Sequence, residues 1–230
     1  HVDDSKEEQE KSVRRTIDWA KRCKAEYDRL LNQKKIETEN RPLLFAVIQG
    51  GGNFNLRAEC ASKLLVTGFD GFGYGGWPLD GDGNLLTEMM YFIRNQIPRK
   101  FPLHALGVGH PENVLKGYQL GYDIFDCAMP TRDARHGRLF TFKNPASDPQ
   151  QGLTGKWLKY LYIQDDKHIK DKNPISEHCD CYTCQHFSRG YLRHLFKMNE
   201  ILFYRLATIH NLRFMTLLTE RINQLGETHA

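Results

Sequence analysis

The first part of the chain alternates short apolar runs with stretches of helical period. From about Glu7 to Leu31, Val13, Ile17, Ala20 and Tyr27 share one stripe while Lys and Arg fill the other side, which predicts a helix. A polar linker, Lys34 to Asn40, leads to Pro42 and the apolar run Leu43 to Ile48, closed by Gln49 and three glycines. That reads as a buried strand followed by a turn. The pattern then repeats. Asn53 to Val66 has helical period, and Phe69 to Tyr74 is a strand ending in Gly75 and Gly76. Leu85 to Ile97 is helical, and Leu103 to Val108 is a strand closed by Gly109. Pro111 and Glu112 suit the first turn of a helix. Asp123 to Phe125 is a short strand ended by Asp126 and Cys127.

Apolar strands separated by helices are the signature of parallel βα units, so the fold class is α/β. Four such units form either part of a (β/α)8 barrel or a small open sheet. After Phe142 the texture changes. Lys143 to Gly155 reads as a loop, and Trp157 to Gln164 as a strand. A cysteine cluster follows. Then come a long helix from about Ser188 to His210 and a second from about Arg213 to Leu225, stopped by Gly226. The expected division is 1–142 for the barrel portion and 143–230 for a helical, metal-binding appendage.

Composition adds limits rather than direction. Of 230 residues 40% are hydrophobic and 26% charged, which is ordinary for a globular protein. The net charge of +4 permits a nucleic-acid partner without requiring one. There is no apolar run of some 18 residues to span a membrane. No secretory signal is visible, and the first residue is His1, so the chain is expected to begin mid-protein. Three of the six cysteines crowd within six residues, unlike a disulfide scaffold. A reducing, cytoplasmic setting with a metal site fits better.

The strongest chemical signal is Cys179-x-Cys181-x-x-Cys184. Three soft thiolates this close wrap one zinc ion, which needs a fourth ligand. His178, His186, His194 and His210 are candidates, with His178 and His186 too near in sequence to reach round easily. Such a site is coordinatively closed and therefore structural. The second signal is Asp126, in FDCAMPTRDARHGRLFTF, at a strand's C-terminal end where barrels keep catalytic groups. A carboxylate there can attack a sugar carbon, and the following Arg132, Arg135, His136 and Arg138 suit a polyanion. Equally, a strand-end aspartate can cap a loop. Gln49 offers a donor and an acceptor for a purine edge, and the bare Gly75-Gly76 lets a backbone N–H approach a planar ring. Two motifs are set aside. Gly71-x-Gly73-x-x-Gly76 lies within a strand rather than before a helix, and Asp80-Gly-Asp82-Gly-Asn84 lacks a closing glutamate.

These residues together resemble the tRNA-guanine transglycosylase family. The resemblance rests on FDCAMPTRDARHGR, on CxCxxC followed by SRGYLRHL, and on IHN. It runs from the helix around Trp19 to the end of the chain. It implies His210 as the fourth zinc ligand and Asp126 as the nucleophile that expels guanine from the tRNA anticodon. A covalent enzyme–RNA intermediate would then be resolved by a 7-deazaguanine base. Gln49 and the Gly76 N–H would read the base edge, Leu106 would pack on its face, and Arg132 and Arg135 would hold the anticodon loop.

Two departures accompany the resemblance. The family's first half supplies an acid/base aspartate and a second base-binding aspartate, so this chain alone is expected to be catalytically incompetent. Most bacterial relatives carry Leu-Ala-Val-Gly-Glu after the paired glycines, where this chain has Trp77-Pro78-Leu79-Asp80. That loop borders the 7-substituent, leaving aminomethyl-, cyano- and cyclopentenediol-bearing bases open. A non-catalytic module that binds tRNA or a partner subunit, and a DNA-modifying paralogue, are the competing readings. A homodimer is implied by resemblance only.

Overall fold

A computed structural model describes residues 4–143 and 153–227. Most of the loop expected over Lys143 to Gly155 therefore lies outside the described residues. Helix α1 spans Lys6–Lys34. Its N-terminus is capped by Ser5, whose Oγ accepts from the Glu8 N–H, and its C-terminus by Lys35 in the left-handed region. Then follow β1 Phe45–Ile48, α2 Phe54–Thr67, β2 Gly71–Tyr74, α3 Thr87–Gln96, β3 Leu103–Leu106, α4 Pro111–Gln119 and β4 Ile124–Asp126. The βα alternation read from the apolar runs is the one observed. The four strands are parallel in the order β1-β2-β3-β4, consistent with part of a barrel.

The register sorts the side chains of this sheet. Phe45 pairs with Gly71, Val47 with Gly73, Gly73 with His104, His104 with Ile124, and Leu106 with Asp126. Residues two apart share a face, so these eight lie on one side. On the other side Ala46, Ile48, Phe72, Tyr74, Leu103 and Ala105 are all buried, as are Cys60 and Leu64 of α2 and Met90 and Ile93 of α3. Burying that face supplies the hydrophobic stabilisation, about 25 cal/mol per Å² of apolar area removed from water. Helix α4 approaches β4 through Gly117, where a Cβ would meet the Phe125 ring at 2.6 Å.

The second part holds α5 Met129–Arg135, β5 Arg138–Phe142, β6 Leu158–Tyr162, α6 Tyr182–His186, α7 Arg189–Lys197 and α8 Ile201–Glu227. Strand β5 pairs antiparallel with β6 and not with the four-stranded sheet. Contacts accordingly divide the chain into two compact units. One runs to Val108 and resumes at Asn113–Cys127; the other comprises Gly109–Glu112 and everything from Ala128. Strand β5 falls in the second of these units, because its partner β6 lies downstream. The core of the second unit is built from Leu139, Leu161, Ile163, Leu192, Leu195, Phe203 and Leu206.

The terminal helices also divide elsewhere than expected. The turn is at Met198, Asn199 and Glu200, with Asn199 left-handed at φ 54°, and not near Leu212. Position 210 is therefore inside a 27-residue helix rather than at a junction. Asparagine is among the few residues that enter the left-handed region readily, so the break needs no glycine or proline.

In the first unit Arg41 and Asp70 form a two-armed ion pair, with Nη1–Oδ2 at 2.7 Å and Nη2–Oδ1 at 2.5 Å. Oδ2 also accepts from the Leu44 N–H at 2.8 Å, tying the entry of β1 to that of β2. The hydrogen bond from Arg41 holds the Asp70 carboxyl below its usual pKa, against the opposing effect of burial. A depressed carboxylate stabilises the fold above its unfolded pKa of about 4 and loses that contribution as pH falls through the folded value. Asp70→Asn is expected to lower stability at pH 7 by about 1.5–3 kcal/mol, and by much less at pH 3. Urea midpoints of both proteins at the two pH values measure this, and a pH-independent difference contradicts it.

Candidate functional site

In the first unit the parallel sheet brings four strand ends to one edge. Gln49 follows β1, Gly75 and Gly76 follow β2, Gly107 follows β3, and Asp126 is the last residue of β4. Asp126 does not point into packed core, since its side chain is 61% exposed. Its Oδ1 accepts from the Gly107 N–H at 3.1 Å and lies 2.8 Å from His104 Nε2. Gly107 takes φ +77°, a conformation costly for any side-chain-bearing residue, and so turns the chain as β3 ends.

The glycines of β2 make room for neighbouring side chains. A Cβ at Gly71 would meet the Phe45 ring at 2.2 Å, and one at Gly73 would meet Leu106 Cδ1 at 2.9 Å. The pattern that imitates a dinucleotide fingerprint is thus a packing device, and it lets Leu106 lie across bare backbone. Gly75 serves Gln49 in the same way: a Cβ there would meet Ile48 O at 2.6 Å and Gln49 Cδ at 2.7 Å. Gly76 is left-handed at φ +90° and exposed.

Arg57 of α2, 1% exposed, organises these loops from behind. Its Nη1 donates to Ile48 O at 2.5 Å and Gly75 O at 2.8 Å, and its Nε to Gly51 O at 3.0 Å. The guanidinium also lies 4.6 Å from the centre of the Tyr74 ring. Burial pulls its pKa down from the usual value, with Tyr74 opposing. Three carbonyls at the ends of two strands offset the cost of burying this polar group.

The second unit holds two further sets of expected residues. Arg132 and Arg135 lie on α5 and are exposed, while Asp133 between them is buried and paired with Arg138 at 2.5 Å. Cys179, Cys181, Cys184 and His210 come together with their ligand atoms all within 4.8 Å of one another. His210 Nδ1 lies 3.3 Å from Cys184 Sγ and 3.7 Å from Cys181 Sγ. A tetrahedral zinc ion with bonds of about 2.3 Å to sulfur and 2.0–2.1 Å to nitrogen spaces its donors by about 3.6–3.8 Å. The group therefore fits a metal of that kind. His178, His186 and His194 are all exposed and stand outside it.

Backbone contacts orient the imidazole. His210 Nε2 lies 2.8 Å from Phe140 O, so Nε2–H donates there and Nδ1 is left for the metal. Burial alone would lower the His210 pKa, but hydrogen bonds with the Cys179 and Cys181 sulfurs raise it to about 9. Hydrogen bonds from Cys179 and Cys184 hold the Cys181 thiol well below its ordinary range. The Cys179 and Cys181 sulfurs push the Cys184 thiol above its ordinary range.

Comparison with known proteins places the chain in a family. The family profile described as "TGT: Queuine tRNA-ribosyltransferase" matches residues 1–225. The chain belongs to that family. It is 40% identical over 214 residues to a queuine tRNA-ribosyltransferase of Caldanaerobacter subterraneus subsp. tengcongensis, covering 93% of this chain and 51% of that protein. Proteins of the same name from Thermoanaerobacter pseudethanolicus and Acinetobacter baumannii are each 39% identical, with the same coverage. The chain thus spans about half the length of these relatives. Among the described residues no helix is long and apolar enough to cross a membrane.

Three residues of this family member escaped sequence reasoning. Neither Arg57, a charge within a helical stretch, nor His104, a polar residue within an apolar strand, carries a local signal. Asn211 was part of the quoted IHN, yet its own task was not seen. Its Oδ1 accepts from Phe140 N at 3.0 Å, and its Nδ2 donates to Pro130 O and Arg138 O, each at 3.0 Å. Only the fold shows which backbone groups each of them meets.

The close approach at Gly75 yields a test. Gly75→Ala sets a methyl against the Ile48 carbonyl, which is backbone and cannot yield, and against the Gln49 amide. Overpacking of this kind costs about 1–3 kcal/mol. Chemical denaturation should show that loss, while Gly81→Ala, where a Cβ meets nothing within 4 Å, should cost less.

Proposed function

We propose that this chain carries the nucleophile, part of the base pocket and the metal centre of a tRNA-guanine transglycosylase. Asp126 attacks the anomeric carbon of a guanosine in the tRNA anticodon. An oxygen–carbon bond forms, the carbon–N9 bond breaks, and its electron pair leaves with guanine, which takes up a proton at N9. N9 of a 7-deazaguanine, losing its proton, then displaces the carboxylate and restores Asp126. Two displacements retain the sugar configuration.

The other residues act through binding. Gln49 and the Gly76 N–H present donors and an acceptor to the base edge, and Leu106 offers an apolar surface to its face. Arg132 and Arg135 attract the phosphates of a splayed anticodon loop. Cys179, Cys181, Cys184 and His210 would hold one zinc ion, which would supply structural cross-linking. The observation that carries the reading is Asp126. It is an exposed carboxylate at a strand end, fixed through one oxygen and on the same sheet edge as Gln49 and the paired glycines.

Trapping tests the proposal. A version extended to the relatives' full length is incubated with tRNA and 9-deazaguanine and run on a denaturing gel. A resistant protein–RNA adduct is expected, and Asp126→Asn should abolish it. No adduct, or one that survives Asp126→Asn, points instead to a non-catalytic binding module, and preference for DNA in competition to the paralogue.

The metal is tested separately. Purified protein should contain about one zinc per chain. His210→Ala should lose most of it and melt at lower temperature, since structural zinc sites contribute about 10–16 kcal/mol in small modules. Full metal content in that variant would exclude His210 as a ligand.

A further inference from the structure

His104 and Asp126 lie on neighbouring strands and on the same face of the sheet, with Leu106 paired to Asp126 and His104 paired to Ile124. The His104 ring reaches along β3 to place Nε2 2.8 Å from Asp126 Oδ1. The Gly107 N–H reaches that same oxygen at 3.1 Å. Among the described residues both hydrogen bonds to the carboxylate fall on Oδ1. An ionised carboxylate only accepts, so His104 must present Nε2–H to it.

We propose that His104 is a positioning residue for Asp126: with the Gly107 N–H it holds Oδ1 and leaves Oδ2 as the attacking oxygen. This rests on the base-exchange reading and deepens it. The Asp126 side chain is 61% exposed, so without such contacts its carboxylate would turn freely and present either oxygen in many orientations. Two donors on one oxygen stop that rotation and leave Oδ2 without a hydrogen bond among the described residues. The geometry of attack is then set before substrate arrives, which is the part of a barrier that orientation can remove. Gly107 provides one donor through backbone that only glycine adopts easily, and the His104 side chain provides the other from β3.

Two measurements decide it. The first uses the chain as it is and needs no turnover. Imidazole 15N correlation spectra should show His104 as the Nε2–H tautomer, and Asp126→Ala should release it to a mixture. An Nδ1–H tautomer in the unmodified chain, or no response to Asp126→Ala, overturns the proposal. The second uses the version extended to the relatives' length. His104→Leu should slow adduct formation at saturating tRNA by about 10- to 100-fold, the worth of one hydrogen bond to a charged group, with tRNA affinity unchanged. His104→Gln, which keeps an N–H at similar reach, should recover most of the rate. Loss confined to tRNA affinity, or glutamine no better than leucine, overturns it. If the parent enzyme forms no adduct, the base-exchange reading itself fails. Failure of the present proposal looks different: a normal adduct, equally fast in His104→Leu.

Discussion

Everything in the first unit follows from strands that run parallel in sequential order. Each strand must be carried back by a helix before the next can begin, so all the strands end at one edge. Gln49, Gly75, Gly107 and Asp126 are far apart in sequence, yet each is the first residue after a strand or the last within one. Backbone pairing achieves this without help from the side chains that line the edge. Those side chains are then free to be chosen for chemistry, and the residues beneath them for fit. Gly71 and Gly73 give up their Cβ atoms to Phe45 and Leu106, which keeps that face of the sheet tightly layered.

Backbone pairing does not fix the loops beyond the strand ends, and here buried polar side chains take over. Arg57 meets carbonyls from Ile48, Gly51 and Gly75, so a single planar fork sets the spacing of two loops. Asn211 does the same in the second unit with Phe140, Pro130 and Arg138, beside His210 on the Phe140 carbonyl. The energetic logic is shared. A buried donor without its acceptor costs about 1–3 kcal/mol, so every alternative placement of the loop is penalised. Hydrophobic contacts tolerate small shifts, whereas these contacts do not.

The difference between the two kinds of constraint explains what was legible in the sequence. Apolar runs and their period reveal strands and helices, and the four parallel strands emerged with ends within two residues of those observed, although α5 after the fourth was not foreseen. Cysteine spacing picked out three of the four residues in the group that could hold a metal, while His210 came from resemblance, because it is brought to the cluster by a helix whose start was misjudged. The run from Ser188 onward has no glycine or proline after Gly190 to mark its interruption, so the left-handed Asn199 was invisible to propensity. Strand β5 was hidden in a stretch read for its arginines, although Leu139 and Phe140 are fully buried. Arg57, His104 and Asn211 share a reason for being missed. Each acts on backbone or a side chain brought near only by folding, and no local pattern records that.

Three aspartates in the structure show how surroundings sort one residue type into different tasks. Asp70 spends both oxygens on Arg41 and the Leu44 N–H, and Asp133 is buried against Arg138. In each a guanidinium neutralises the carboxylate, which suits a structural role and removes its nucleophilic character. Among the described residues Asp126 has no arginine or lysine partner, and its contacts are an imidazole and a backbone amide on a single oxygen. Such an arrangement orients the group without cancelling its charge. One oxygen is thereby held while the side chain as a whole stays open to solvent, a combination that neither Asp70 nor Asp133 offers.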